Sequence, residues 1–309
     1  MGRSRPISER RASPRRSGLA LLGVVVALGL AACLRAAQPA EAAAGAGPLK
    51  QAPDGRPLVL TFADEFDGFR PWRGGHGVWR TVYKDGKHAD PLELRTLRGN
   101  SELQLYVDPG ILLKTPASTA EAPALNPFVT RGGMLDLVAR PAPPGLSAQL
   151  GGYRYFSGLI SNQPVFSQTY GYFEMRAKLP RGKGLWPAFW MLPADLSWPP
   201  EIDIMESIGD PGVYWTTAHY QGGKTPESKH AIDPDAFHTF AVAWDRKELV
   251  WFLDGREVNR QPTPPDMHKP MYMVANLAVG GVWPGSPDAS TTFPARMTID
   301  YIRAYRFAP

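Results

Sequence analysis

The sequence predicts an all-β domain built from two packed antiparallel sheets. Three observations carry this. From Leu58 onward apolar residues recur at every second position, the period of a strand with one buried face. Turn formers punctuate these short runs: 31 glycines and 32 prolines with no G-X-Y period, which also excludes collagen. No run of ten or more residues carries the 3.6 period of a helix. Hydrophobic residues make up 43% and charged residues 20%, enough to build a core and too apolar for wholesale disorder.

In chain order, the first element is a leader. Residues 1–17 are basic, and Leu19 to Leu34 is an apolar run of 16 residues, short for a transmembrane helix. Residues 1–35 therefore read as an export signal, with Arg15-Arg16 placed as in a twin-arginine leader. The single cysteine, Cys33, closes Leu30-Ala31-Ala32-Cys33, which resembles a bacterial lipobox. Lipidation at Cys33 would anchor the protein to the cell envelope; cleavage after small residues such as Ala40-Glu41-Ala42 would instead release it. The expected location is the periplasm, the outer membrane as a lipoprotein, or the exterior. With no cysteine pair, the domain must rest on a large core. Residues 36–57, rich in Ala, Pro and Gly, read as a tether.

The domain proper is expected over residues 58–309. Gly171–Leu179 alternates apolar and polar, as does Met297–Tyr305. Phe237–Trp244 and Glu248–Leu253 flank Asp245-Arg246-Lys247 and predict a hairpin, with Asp254-Gly255 as the next turn. Residues 108–131 read as a long surface loop. Six of the 34 basic residues and one of the 29 acidic ones lie in residues 1–32, leaving 28 of each in the rest of the chain. The domain is neutral, and nothing supports a nucleic-acid partner. A monomer is expected.

The informative segment is Trp198-Pro199-Pro200-Glu201-Ile202-Asp203-Ile204-Met205-Glu206. Alternation puts Glu201 and Asp203 on one face and the isoleucines on the other. Strict alternation would send Glu206 into the core, where an unpaired carboxylate is costly. A β-bulge near Ile204-Met205 inserts one residue and returns Glu206 to the face of Glu201. Two glutamates four effective steps apart can bring their carboxyl groups to about 5–6 Å, near the separation of about 5–5.5 Å at which retaining glycosidases work. A solvated acidic edge would not need Ile, Ile and Met between its charges.

Glu201, Asp203 and Glu206 match the Glu-x-Asp-x-x-Glu motif of glycoside hydrolase family 16, which the chain resembles. Phe62–Phe66 is similar to the family's opening strand, and Tyr170–Pro180 and Gly184–Leu192 to the two strands before the catalytic one. Asn276–Gly285 and Ile299–Tyr305 are similar to its closing segments. Pro200 stands where many laminarinases have glycine; Pro-Pro-Glu-Ile-Asp is more like the branch associated with bacterial exopolysaccharides. The resemblance implies a β-sandwich jelly roll with a concave cleft and a polysaccharide substrate. It implies a retaining endo-hydrolase with Glu201 as nucleophile, Glu206 as acid/base and Asp203 assisting. A transglycosylase, or a surface carbohydrate-binding protein without activity, are the alternatives.

Trp186 and Trp190 share a strand face and can stack on sugar rings, core packing being the alternative for Trp190. His219 is expected to orient Asp203 or Glu206; the bland alternative is a satisfied core histidine. The resemblance adds Trp198, Trp283, Asn100, Glu174, Arg176 and Asn276 as cleft residues, although Glu174 and Arg176 could equally form a structural ion pair. No cofactor is required by the chemistry. The resemblance also implies a structural calcium ion on the convex face, held by Asp300 with Glu65 assisting.

Overall fold

The computed structural model describes residues 47–83, 92–109, 125–147, 150–210 and 212–309. The leader, Cys33 and most of the loop expected around residues 108–131 lie outside them.

Among the described residues, seventeen strands form two sheets. The cleft sheet has the order β11 (Gly223–Lys224), β10 (Val213–Tyr220), β9 (Glu201–Glu206), β8 (Leu185–Pro193), β16 (Met271–Val279), β6 (Leu159–Ser161), with β12 (Ser228–Ala231) also on β10. The outer sheet has the order β15 (Arg256–Pro262), β14 (Glu248–Leu253), β13 (His238–Trp244), β7 (Gly171–Lys178), β17 (Ala295–Phe307), β4 (Met134–Pro141), β5 (Tyr155–Ser157), β2 (Gln104–Tyr106). In that sheet β1 (Leu58–Asp64) pairs with β17, and β3 (Phe128–Arg131) with β4. All pairs of named strands are antiparallel except β2 with β5, which is parallel. The expected hairpin is β13–β14, with Phe240 opposite Leu253 and Trp244 opposite Leu249.

Both sheets point one face at a shared core. Phe173, Met175 and Ala177 of β7 and Phe240, Val242 and Trp244 of β13 meet Leu185, Phe189 and Met191 of β8 and Met273, Ala275 and Leu277 of β16. The alternate residues of β8 and β16 (Trp186, Ala188 and Trp190; Tyr272, Val274 and Ala278) gather on the other side of their sheet, beneath the cleft. Burial of this many large side chains supplies the stability that no disulfide contributes.

The domain begins earlier than the composition suggests. In the segment expected as tether, Ala52 is buried and Leu49 packs beside it against Tyr172 and Tyr305 of the outer sheet. The Leu49 N–H donates to Tyr305 Oη at 3.1 Å, and the Leu58 N–H to the Lys50 carbonyl. Residues 47–57 thus cover part of the convex face. The expected loop of residues 108–131 also ends sooner, because Phe128–Arg131 pairs with Met134–Leu137.

Candidate active site

The site is built on β9 and its two neighbours. Against β8, Ala188 faces Glu206 and Phe189 faces Met205, but the next residue, Trp190, faces Asp203. Ile204 is the extra residue. The same irregularity appears against β10, where Trp215 faces Glu206 and Thr217 faces Asp203. This is the expected bulge. Its cause is visible in the packing: Ile204 and Met205 are consecutive, yet both are buried in the core. Sending two neighbours inward lets Glu206 leave the core and rejoin the face of Glu201 and Asp203. From the opposite sheet, the Trp251 indole N–H on β14 donates to the Asp203 carbonyl at 2.9 Å and braces the bulged strand from behind.

The three carboxylates line a cleft of about 830 Å³. Its size and mixed aromatic and polar walls suit an extended ligand. The Trp198 indole donates to Glu201 Oε2 at 2.8 Å, and the Trp186 indole to Glu206 Oε1 at 3.0 Å. His219 lies opposite Glu201 on β10; its Nε2 is 3.3 Å from Asp203 Oδ2 and 4.0 Å from Glu201 Oε1. Among the described residues no lysine or arginine forms an ion pair with any of the three.

That wiring sets the proton affinities. Burial, and then the Glu201 charge, push Glu206 up to about 8. Burial, and then the Glu206 charge, push Asp203 up to about 6. Burial and the adjacent Asp203 raise Glu201 as well, against the pull of His219. The contact with Asp203 in turn raises His219. Three carboxylates so close cannot all be ionised. His219 faces Asp203 and Glu201, so negative charge is best held there and the proton best held on Glu206.

The other expected cleft residues divide. Trp186, Trp198, Trp283 and Asn100 line the cleft. Trp198 is 66% exposed and offers an open indole face. Trp283 packs edge-on between Trp186 (5.6 Å) and Trp215 (5.2 Å). Trp190 and Asn276 lie in the floor, nearly buried: the Trp190 indole donates to Asn276 Oδ1 at 2.7 Å, and Asn276 Nδ2 donates to Tyr106 Oη at 3.0 Å. Trp190 thus follows the core-packing alternative, with one edge in the cleft floor.

Arg176 and Glu174 are not in the cleft. Both sit on the outer sheet, on the face of β7 that points away from the core. Arg176 donates to Asp300 Oδ2 at 2.7 Å, and Glu174 accepts from Tyr305 Oη at 2.8 Å. Alternation showed that they share a face but not which sheet carries it. The same pairing bears on calcium. Asp300 is held by Arg176, and Glu65 by both Nε (2.7 Å) and Nη2 (2.8 Å) of Arg303. Each carboxylate already has its own cation, so the two do not fit a shared calcium ion.

Sequence reasoning missed Trp215 and Thr217. They alternate with His219 on β10, opposite Glu206 and Asp203, so the period of two read back from His219 would have found them. It also missed Glu102, buried in the cleft wall, which accepts from Gln104 Nε2 at 2.7 Å and from Leu97 N–H at 3.2 Å.

Comparison with known proteins gives this geometry relatives. Residues 142–303 match the model of glycosyl hydrolases family 16. The chain is 41% identical over 253 residues to an endo-1,3-1,4-beta-glycanase of Rhizobium meliloti, covering 80% of this chain and 52% of that protein. It is 35% identical over 278 residues to a beta-glucanase of Rhodothermus marinus, covering 80% of this chain and 85% of the relative. Among solved structures, the laminarinase catalytic domain of Thermotoga maritima aligns with a TM-score of 0.64 at 30% identity, over 82% of this chain and 99% of that one. The chain spans about half the length of the Rhizobium relatives it matches.

Proposed function

The chain belongs to family 16 of the glycosyl hydrolases, and from that premise we propose a retaining endo-glycosidase that cuts β-1,3 or β-1,4 linkages, or both, in a glucan or a bacterial exopolysaccharide. The observation that carries the reading is the bulge, which returns Glu206 to the face of Glu201 and Asp203 at the cleft. Glu201 attacks the anomeric carbon while Glu206 gives its proton to the departing glycosidic oxygen. The product of that step is a glycosyl ester on Glu201 and an ionised Glu206. Glu206 then takes a proton from water as the water oxygen attacks the anomeric carbon and frees Glu201. Asp203, oriented by His219, holds negative charge beside the nucleophile. The breadth of linkage follows the Rhizobium relatives, named as 1,3-1,4 enzymes, and Pro199-Pro200 before the nucleophile favours an exopolysaccharide.

The test is a screen of the purified protein against laminarin, lichenan, agarose and bacterial exopolysaccharide, with the first-formed anomer read by NMR. Early β-anomer is expected, and early α-anomer overturns the retaining assignment. Longer oligosaccharides appearing when acceptor is added would assign a transglycosylase on the same residues. Binding without any product would assign a carbohydrate-binding protein. We further propose export through residues 1–35, with Cys33 lipidated. Cys33→Ser should then move the protein from the membrane fraction to the soluble one.

A further inference from the structure

Asp203 Oδ2 is buried, and His219 Nε2 stands 3.3 Å away, close enough to pair with it but off the ideal hydrogen-bond alignment. Two polar atoms this close can also aim their lone pairs at a third point. Glu201 Oε1 faces the same point, 4.0 Å from His219 Nε2. One ligand atom from each of Glu201, Asp203 and His219 lies within 4.8 Å of the other two, and among the described residues this is the sole group of three such ligands.

We propose that Glu201, Asp203 and His219 form an inhibitory site for a divalent transition-metal ion of the zinc type. The inference rests on the glycosidase reading, because it assigns a regulation to the same site. One imidazole nitrogen and two carboxylate oxygens are a zinc-type donor set, with a fourth position left for water. Bonds of about 2.0–2.2 Å need only a small contraction of the observed triangle. Supporting contacts already exist: the Trp198 indole holds Glu201 Oε2 and leaves Oε1 to face His219, and the Trp251 indole braces the Asp203 backbone. The open position faces the cleft, which also lets an ion in. The nitrogen donor disfavours calcium and magnesium, which take oxygen ligands. A metal bound to Oε1 occupies the nucleophile, so ion and polysaccharide exclude one another.

The experiment is titration of the full chain with Zn²⁺ by calorimetry, alongside laminarin hydrolysis. One ion per chain is expected, with inhibition that EDTA reverses and that rising substrate overcomes, and no such effect from Mg²⁺ or Ca²⁺. His219→Gln should weaken zinc binding by more than about 100-fold, beyond the roughly 10–100-fold that outer-shell changes to metal sites typically cost. Asp203→Asn is the second variant should the first unfold. Zinc binding that both folded variants retain, or equal inhibition by Ca²⁺, overturns the proposal. Calorimetry needs no turnover. A chain that binds zinc but cuts no polysaccharide upholds the site and sinks the hydrolase reading; one that cuts laminarin and binds no zinc does the reverse.

Discussion

The two sheets treat their acids in opposite ways. On the outer sheet carboxylates are matched with arginine: Asp136 with Arg131 (2.9 Å) and Arg296 (3.1 Å), Asp300 with Arg176, and Glu65 at the end of β1 with Arg303. On the cleft sheet Glu201, Asp203 and Glu206 receive two indole N–H groups and one histidine. A guanidinium favours the ionised carboxylate strongly, whereas an indole N–H favours it weakly. The outer face therefore spends its charges on holding strands together. The cleft face leaves charge under-compensated, and one carboxyl group keeps its proton near neutral pH. Glu174 shows what the arginine does. It lies on the outer sheet, but its nearest arginine nitrogen is 4.0 Å away, and burial pushes it up to about 7.

The largest effects should come from cutting the under-compensated side. Glu206→Ala is expected to lower kcat by about 10²–10⁴-fold, the usual worth of general acid–base catalysis. Glu201→Ala should cost more, because it removes the covalent step. Azide should restore turnover to Glu201→Ala with inverted product, since a small anion fits where the nucleophile stood. Thermal unfolding of both variants should remain cooperative. Azide product of retained configuration would assign the nucleophile elsewhere.

Asp136→Asn tests the matched side. The Asp136 side chain is fully buried and also accepts from Thr298 Oγ1 at 2.6 Å. Arg131 and Arg296 reach water, so removing the charge should cost about 1–3 kcal/mol of stability and leave kcat of the folded protein unchanged. Urea unfolding and initial rates separate the two; a lowered kcat with unchanged stability would break the division of labour.

Glu174→Gln sharpens the same division. Its folded proton affinity lies above its unfolded one, so the wild type loses stability as pH rises from about 4.5, the ordinary glutamate value, through about 7. At one pH unit per 1.36 kcal/mol, the loss reaches at most about 3 kcal/mol. The glutamine variant lacks that slope. Its stability relative to wild type should therefore rise between pH 4 and pH 8, measured by urea unfolding at each. Parallel curves would mean that Glu174 is ionised in the fold.

The catalytic strand was legible because its alternatives were expensive: Glu206 in the core, or two isoleucines in water. The hairpin and β7 were legible because one face of each is apolar throughout. Arg176 was not. Its strand alternates like the cleft strands, and only the pairing of β7 with β13 and β17 turns it outward. The start of the domain was missed for a similar reason. Residues 47–57 look like a tether by composition, and two small anchors, Leu49 and Ala52, hold them down. Trp215 was overlooked because it stands outside every motif and reaches the site through its register with Glu206 and its packing on Trp283.

The smallest expected effect probes how the indoles differ from arginines. The Trp186 N–H donates to Glu206 and favours its ionised form, working against the burial that pushes it up to about 8. Activity needs Glu206 protonated, so kcat/KM should fall as pH rises through about 8. Trp186→Phe keeps an aromatic ring for Trp283 and for sugar stacking but removes the donor. The ionised form then loses a hydrogen bond worth about 0.5–1.5 kcal/mol, and the proton affinity of Glu206 rises by up to about one pH unit. The alkaline limb of kcat/KM should move upward by that amount, even though the rate at neutral pH falls with the poorer stacking. A limb that moves downward would mean that Trp186 contributes chiefly by excluding water from Glu206.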